Sequence, residues 1–264
     1  MPGCCYGCYI RHIAPVPIAM KLVLITVINL AALIAVACGS SGGQKVIAPP
    51  EQINCDSIDN FDRYRYNSVV TLEVPRPDDP AIVDEPYPPF KTIYDMDGAI
   101  QGKNRRQVVI SYPETLGPDF HVRVIGDTVY EFIAGWDARP LDPAIPPIAY
   151  LPLDLCRSLE PEANLGSISS TPVEVNGIAT LKFEFQVSPE FASRVWGPAS
   201  DMANFIPAFD VTLWVAEDGN WPVRADIRGQ GQFDNGRELR ADLFWELRDI
   251  NDKDIKIEPP IPAS

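Results

Sequence analysis

Residues 209–248, FDVTLWVAEDGNWPVRADIRGQGQFDNGRELRADLFWELR, decide the fold class. Apolar side chains fall at alternate positions in three runs, the period of strands with one covered face. The runs are Phe209–Ala216, Pro222–Phe233 and Arg237–Arg248. Between them stand Asp218-Gly219 and Asn235-Gly236, dipeptides that tolerate the positive φ of a tight hairpin. Three strands joined by two hairpins make an antiparallel meander. Its expected covered faces are Val211/Leu213/Val215, Val223/Ala225/Ile227 and Leu243/Trp245/Leu247. Gly229-Gln230-Gly231-Gln232 lies inside the middle strand and is expected to mark a bend or bulge.

The same alternation recurs upstream. Arg63–Val74 places Tyr64, Tyr66, Ser68, Val70, Leu72 and Val74 on one side. Lys91–Gln101 and Arg105–Tyr112 form a hairpin through the turn at 102–104. Phe120–Ile125 and Thr128–Ile133 form another through Gly126-Asp127. Val173–Val187 is a strand pair or bent strand turning at Asn176-Gly177, and Ile255–Ile257 is a candidate last edge. Proline-rich stretches at 75–90 and 138–152 are expected loops. Helices are scarce. Leu153–Leu159 is one short candidate. A second, 189–205, starts at Ser188-Pro189-Glu190 and should kink or split at Gly197-Pro198. The expected fold is α+β: a strongly curved, mainly antiparallel sheet, a half-barrel, with a few helices on its concave side.

Ahead of this domain, Met20–Cys38 reads MKLVLITVINLAALIAVAC. A cation, an apolar run and small residues before a cysteine are the three parts of an export signal. The apolar run is shorter than the ~20 residues a spanning helix usually needs. The junction resembles a bacterial lipobox, in which Cys38 becomes the acylated N-terminus. Ala35-Val36-Ala37 also satisfies the ordinary secretory rule, and an uncleaved anchor is the third alternative. Residues 1–37 are therefore the signal, with 1–19 read as an over-extended start or a longer n-region. Residues 38–50 are a flexible Gly/Ser tether, and 51–264 are a single domain.

Of 22 Lys+Arg, only Arg11 and Lys21 lie in 1–37, which holds no acid. The remainder carries 20 basic against 36 acidic residues, a net of −16. Such a surface repels nucleic acid. Cysteine parity agrees with export: with Cys38 acylated, Cys55 and Cys156 remain beyond the signal, and a disulfide between them is expected in an oxidising compartment. His121 is the single histidine after the signal, and no zinc cluster, nucleophile elbow or phosphate loop accompanies it. Asp249, Asn251, Asp252 and Asp254 offer oxygen ligands without the spacing of an EF-hand loop. The expectation is a non-enzyme with no metal and no cofactor. No internal repeat or heptad appears, and a monomer is expected.

The order of elements resembles the LolA/LolB-like fold, including lipoproteins of the LppX/LprG type. The resemblance spans roughly residues 55–258. It is carried by the Cys38 junction, RYRYNSVVTLEV at 63–74, VRVIGDTVYEFIAGW at 122–136, the mid-chain helix and the closing meander with IKIEPP at 255–260. It implies a membrane-tethered protein that holds acyl chains of a lipid or lipoprotein in an apolar hollow. The lining it suggests is Tyr94, Met96, Val108, Ile110, Leu181, Phe183, Phe185, Leu213, Ile227, Leu243 and Trp245. The other reading open to this fold is an envelope sensor or protein-interaction module with a filled interior.

Overall fold

The chain was analysed as a computed structural model, which describes residues 50–74, 90–111, 119–132, 134–142, 151–196, 205–234 and 236–260. All of these belong to one compact unit, residues 48–264. Cys38, the export segment and the proline-rich stretches at 75–89 and 143–150 lie outside the described residues.

Eleven strands carry the fold: β1 (Arg63–Val74), β2 (Phe90–Gln101), β3 (Arg105–Ser111), β4 (Phe120–Ile125), β5 (Thr128–Phe132), β6 (Trp136–Pro140), β7 (Ser170–Val175), β8 (Ile178–Val187), β9 (Phe209–Ala216), β10 (Pro222–Gln232) and β11 (Glu238–Arg248). They form one antiparallel sheet in the order β6-β5-β4-β3-β2-β1-β11-β10-β9-β8-β7, which does not close into a barrel. Every neighbour in this order but one is also a neighbour in sequence among the strands. The exception, β1 beside β11, joins the first and last strands at the centre of the sheet. The expected α+β fold with a curved antiparallel sheet is the observed one.

Three helices are described: α1 (Asp56–Asp59), α2 (Pro152–Leu159) and α3 (Glu190–Trp196). In α2, Pro152 occupies the first turn, where its missing N–H costs nothing. Pro152, Leu155, Cys156 and Leu159 are buried, the spacing of one helical face. Among the described residues α3 runs from Glu190 to Trp196, with Glu190 in its first turn and Arg194 in its last. Of the helix expected over 189–205, these seven residues are described, and the expected kink or split at Gly197-Pro198 lies outside the described residues. Cys55 and Cys156 form the expected disulfide, with their Cα atoms 5.8 Å apart, and tie the segment before β1 to α2.

Two expectations are corrected by the fold. Trp136–Pro140, partly assigned to a loop, is edge strand β6, paired with β5 from Thr128↔Pro140 to Phe132↔Trp136. Its one proline, at the head of a proline-rich stretch, concealed it, yet Pro140 sits at the strand's end on an outer strand, where a missing donor is tolerated. Ile255–Ile257 is no edge strand. The segment after β11 crosses the outer side of β1–β4, where arginine side chains bind its carbonyls. Arg63 donates to Lys253 O and Ile255 O (both 3.3 Å), Arg105 to Ile257 O (2.8 Å) and Arg123 to Glu258 O (2.8 Å). Ile255 and Ile257 are buried beneath it against Ala99 and Ile125.

The glycines of β10 also differ from expectation. Pairing with β11 runs in unbroken register through Gly229↔Ala241 and Gly231↔Leu239, so there is no bulge at these positions. Both glycines admit a close neighbour instead. A Cβ on Gly229 would meet the Phe209 ring, and one on Gly231 would meet the backbone of Phe205.

Candidate ligand-binding face

Residues directly opposed across a ladder share a face, so the register assigns every inward position. One row runs across the sheet as Tyr94, Val70, Leu243, Ile227, Val211 and Phe185. The next runs as Ile110, Met96, Ser68, Trp245, Ala225, Leu213 and Phe183. Val108 and Leu181 extend the same face beyond these rows. All eleven residues suggested as a lining thus point to one side.

Eight of the eleven are packed. Met96, Val108, Leu181, Phe183, Leu213, Ile227, Leu243 and Trp245 are each at most 4 % exposed. Tyr94, Ile110 and Phe185 are partly buried at the margins of the cluster. The centre is solid for two visible reasons. Tyr66 and Phe209 turn their rings over Gly98 and Gly229, filling space left by absent side chains. Leu155, Leu159, Leu165, Phe191 and Ile206, from the helices and connections, complete the same buried cluster.

Open space lies elsewhere. A hollow of about 450 Å³ is bounded by Phe205, Pro207, Gly231, Gln232, Leu239 and Arg240, at the ends of β10 and β11. A groove of about 760 Å³, lined by polar groups such as Glu51, Glu160, Asn164 and Ser167, lies beside α2. None of the eleven suggested residues borders either space.

A third inward row is less apolar than the sequence pattern indicates. It runs Tyr64, Ile100, Arg106, Val124, Val129 and Arg139. Arg139 is matched by Glu131, with nitrogen–oxygen distances of 2.8 and 3.1 Å. Burial pushes the Tyr64 and Tyr66 phenols well above the usual tyrosine range, and Arg106 pulls against both shifts. Asp154 of α2 is also raised, by burial first, against the opposing charges of Arg106 and Arg157. The hydroxyl of Tyr66 and the indole N–H of Trp245 are buried without a hydrogen-bond partner. Sequence periodicity missed this row because Arg106 occupies an inward position in a strand otherwise read by its aliphatic residues.

On the outer face, His121 packs edge-on against Phe132 and Trp136, at ring separations of 5.7 and 6.3 Å, and the Arg123 guanidinium lies 5.1 Å from the Trp136 ring centre. This histidine belongs to an aromatic cluster on the far side of the sheet from the candidate face. The acidic run after β11 turns the chain: Asn251 Oδ1 accepts from Asp62 N–H and Asp252 Oδ1 from Asp254 N–H, both at 2.9 Å. Among the described residues, no group of three or more His, Cys, Asp or Glu is placed to hold a metal ion.

No family model matches the chain, and no curated protein matches it in sequence. Among solved structures it is similar to LprF from Mycobacterium bovis, at 15% identity and a TM-score of 0.42 over 78% of this chain and 92% of that one. It is also similar to the lipoprotein LppX from Mycobacterium tuberculosis, at 15% identity and a TM-score of 0.39 over 77% and 93% of the two chains. A LolA-superfamily protein from Nitrosomonas europaea has 14% identity and a TM-score of 0.27 over 76% and 96%. The likeness is one of fold.

Proposed function

We propose that this protein is a membrane-anchored bacterial lipoprotein that binds acyl chains of a lipid or lipoprotein against the covered face of its sheet, as a carrier or holder. One observation carries this reading. The inward rows form a continuous apolar surface from β3 to β8, and among the described residues the helices available to cover it have four, eight and seven residues. Acyl chains entering at the half-buried ends of the rows, near Tyr94 and Ile110 on one side or Phe185 on the other, leave water for hydrocarbon. That transfer is worth about 25 cal/mol per Å². Binding is by partition, and no bond is made or broken.

The membrane link in this reading is acylated Cys38, followed by a tether of about a dozen residues with a root-mean-square reach of roughly 20 Å. It places the domain at the outer face of a bacterial membrane. Metabolic labelling with a fatty acid tests the anchor, because a Cys38→Ala chain should lose the label. An undiminished label would rule the anchor out.

A second reading, an envelope sensor or protein-interaction module of the same fold, is favoured by the near-complete burial of the eight central residues. Organic extraction of the protein purified from its own envelope, followed by mass spectrometry, separates the two. Stoichiometric acyl lipid supports the carrier or holder. Its absence, together with a tightly bound protein, supports the module.

A further inference from the structure

We propose that Arg106 and the Tyr66 hydroxyl form a head-group site on the covered face, and that the polar end of the ligand is an anion, a phosphate or carboxylate. This rests on the acyl-chain reading above and adds the chemistry of the ligand's other end.

The first observation is a cation with no carboxylate in ion-pair contact among the described residues. Arg63, Arg65, Arg139, Arg157, Arg194, Arg224, Arg228, Arg240 and Arg248 each meet a carboxylate within 4.0 Å. Arg105 and Arg123 are bound by backbone carbonyls. Arg106 makes no ion pair and no side-chain hydrogen bond among the described residues, although the register puts it on the apolar face between Ile100 and Val124. An ionised group facing a low-dielectric surface is costly unless something compensates it. Asp154 is the carboxyl whose charge Arg106 influences most clearly, yet the two do not close into a salt bridge, and burial opposes ionisation of Asp154.

The second observation is a buried donor without an acceptor. Tyr66 is fully buried and its hydroxyl has no partner. The hydroxyl lies over Gly98, directly across from Val108, and Arg106 is two residues further along the same strand and face. That separation is roughly 7 Å along the strand, within the span of an arginine side chain. Half-buried Arg106 and fully buried Tyr66 therefore carry N–H and O–H donors along one stretch of the covered face. An anionic oxygen there would meet both needs, and charge-assisted hydrogen bonds are the stronger kind. The neighbouring Arg139 cannot play this part, because Glu131 already holds it.

The test uses the delipidated mature chain, residues 38–264, and follows tryptophan fluorescence on titration with hexadecyl phosphate below its micelle concentration, with hexadecanol, and with inorganic phosphate. The wild type should bind hexadecyl phosphate at least about tenfold more tightly than hexadecanol. Inorganic phosphate alone should not bind at millimolar concentration. Arg106→Gln should erase the preference for hexadecyl phosphate over hexadecanol, Arg106→Lys should restore part of it, and Tyr66→Phe should weaken hexadecyl phosphate binding several-fold. Equal wild-type affinity for the two amphiphiles overturns the head-group site and leaves the acyl-chain reading standing. Inorganic phosphate binding as tightly as hexadecyl phosphate also overturns it, in favour of a free-anion site. If neither amphiphile binds, the acyl-chain reading fails and the head-group site falls with it. Should Arg106→Gln not fold, the wild-type comparison decides alone.

Discussion

The ring of Tyr66 occupies the space in which Gly98, its opposed partner across β1 and β2, would carry a Cβ. A methyl group built on Gly98 falls closer than 3.0 Å to two atoms of that ring and to its hydroxyl oxygen. Gly98→Ala should therefore force the phenol out of a packed core and cost about 1–3 kcal/mol. Urea unfolding measures it. The double variant Tyr66→Ala/Gly98→Ala should lose less than the two single losses added together, because the clash disappears with the ring. Simple additivity would show that the two residues do not compete for this space.

Phe209 and Gly229 repeat the arrangement on β9 and β10, with the ring against the glycine's inward side. Gly229→Val should destabilise by more than Gly98→Ala, since two further methyl groups must fit beside Phe209 and Ile206. Near-ultraviolet circular dichroism should show a perturbed aromatic core.

The Cys55–Cys156 bridge closes a loop with a sequence separation of 101 and ties α2 to the segment leading into β1. Removing it with Cys55→Ser/Cys156→Ser should cost about 2–5 kcal/mol. Comparing urea midpoints of the oxidised wild type and the double variant checks this. Reductant should move the wild type toward the variant and leave the variant where it was.

Ile257 is wholly buried beneath the segment that crosses the outer face, and Arg105 binds its carbonyl at 2.8 Å. Ile257→Ala should cost about 2–5 kcal/mol. Arg105→Ala should cost less, about 1–3 kcal/mol, because water can replace part of a hydrogen bond at a half-exposed carbonyl. The reverse order would mean that the arginines, not the isoleucines, hold the segment down.

Asp242 gives a pH dependence with a definite sign. Burial raises its pKa, Arg228 pulls it down, and Asp226 and Glu73 add to the rise. The folded state thus holds this proton at a pH where the unfolded chain has released it. Its contribution to stability is present at low pH and declines as pH rises from about 4, the unfolded value, through the raised folded value. Asp242→Asn should flatten the stability profile across that window, and denaturant midpoints from pH 3.5 to 7 measure it. An unchanged slope would count against a raised pKa at half-buried Asp242.

The sheet was legible in the chain because strand period is local. Alternation within 209–248 and 63–74, together with the Asx-Gly and Gly-Asp turns, marks strands, their inward residues and their antiparallel order before any distant contact is considered. The Cys55–Cys156 pairing followed from counting thiols. Strand β6 was hidden by a proline whose tolerance depends on lying at a sheet edge.

Periodicity alone established which side chains share the covered face, because neighbouring positions must point to opposite sides of a strand. It could not establish how that face is filled. Gly98 and Gly229 look like weak points in a strand until the register sets Tyr66 and Phe209 opposite them. Arg106 looks like a surface cation until its row places it between Ile100 and Val124 on the covered face. Those relations depend on which strands lie side by side, and β1 meets β11 only when the whole chain has closed the sheet.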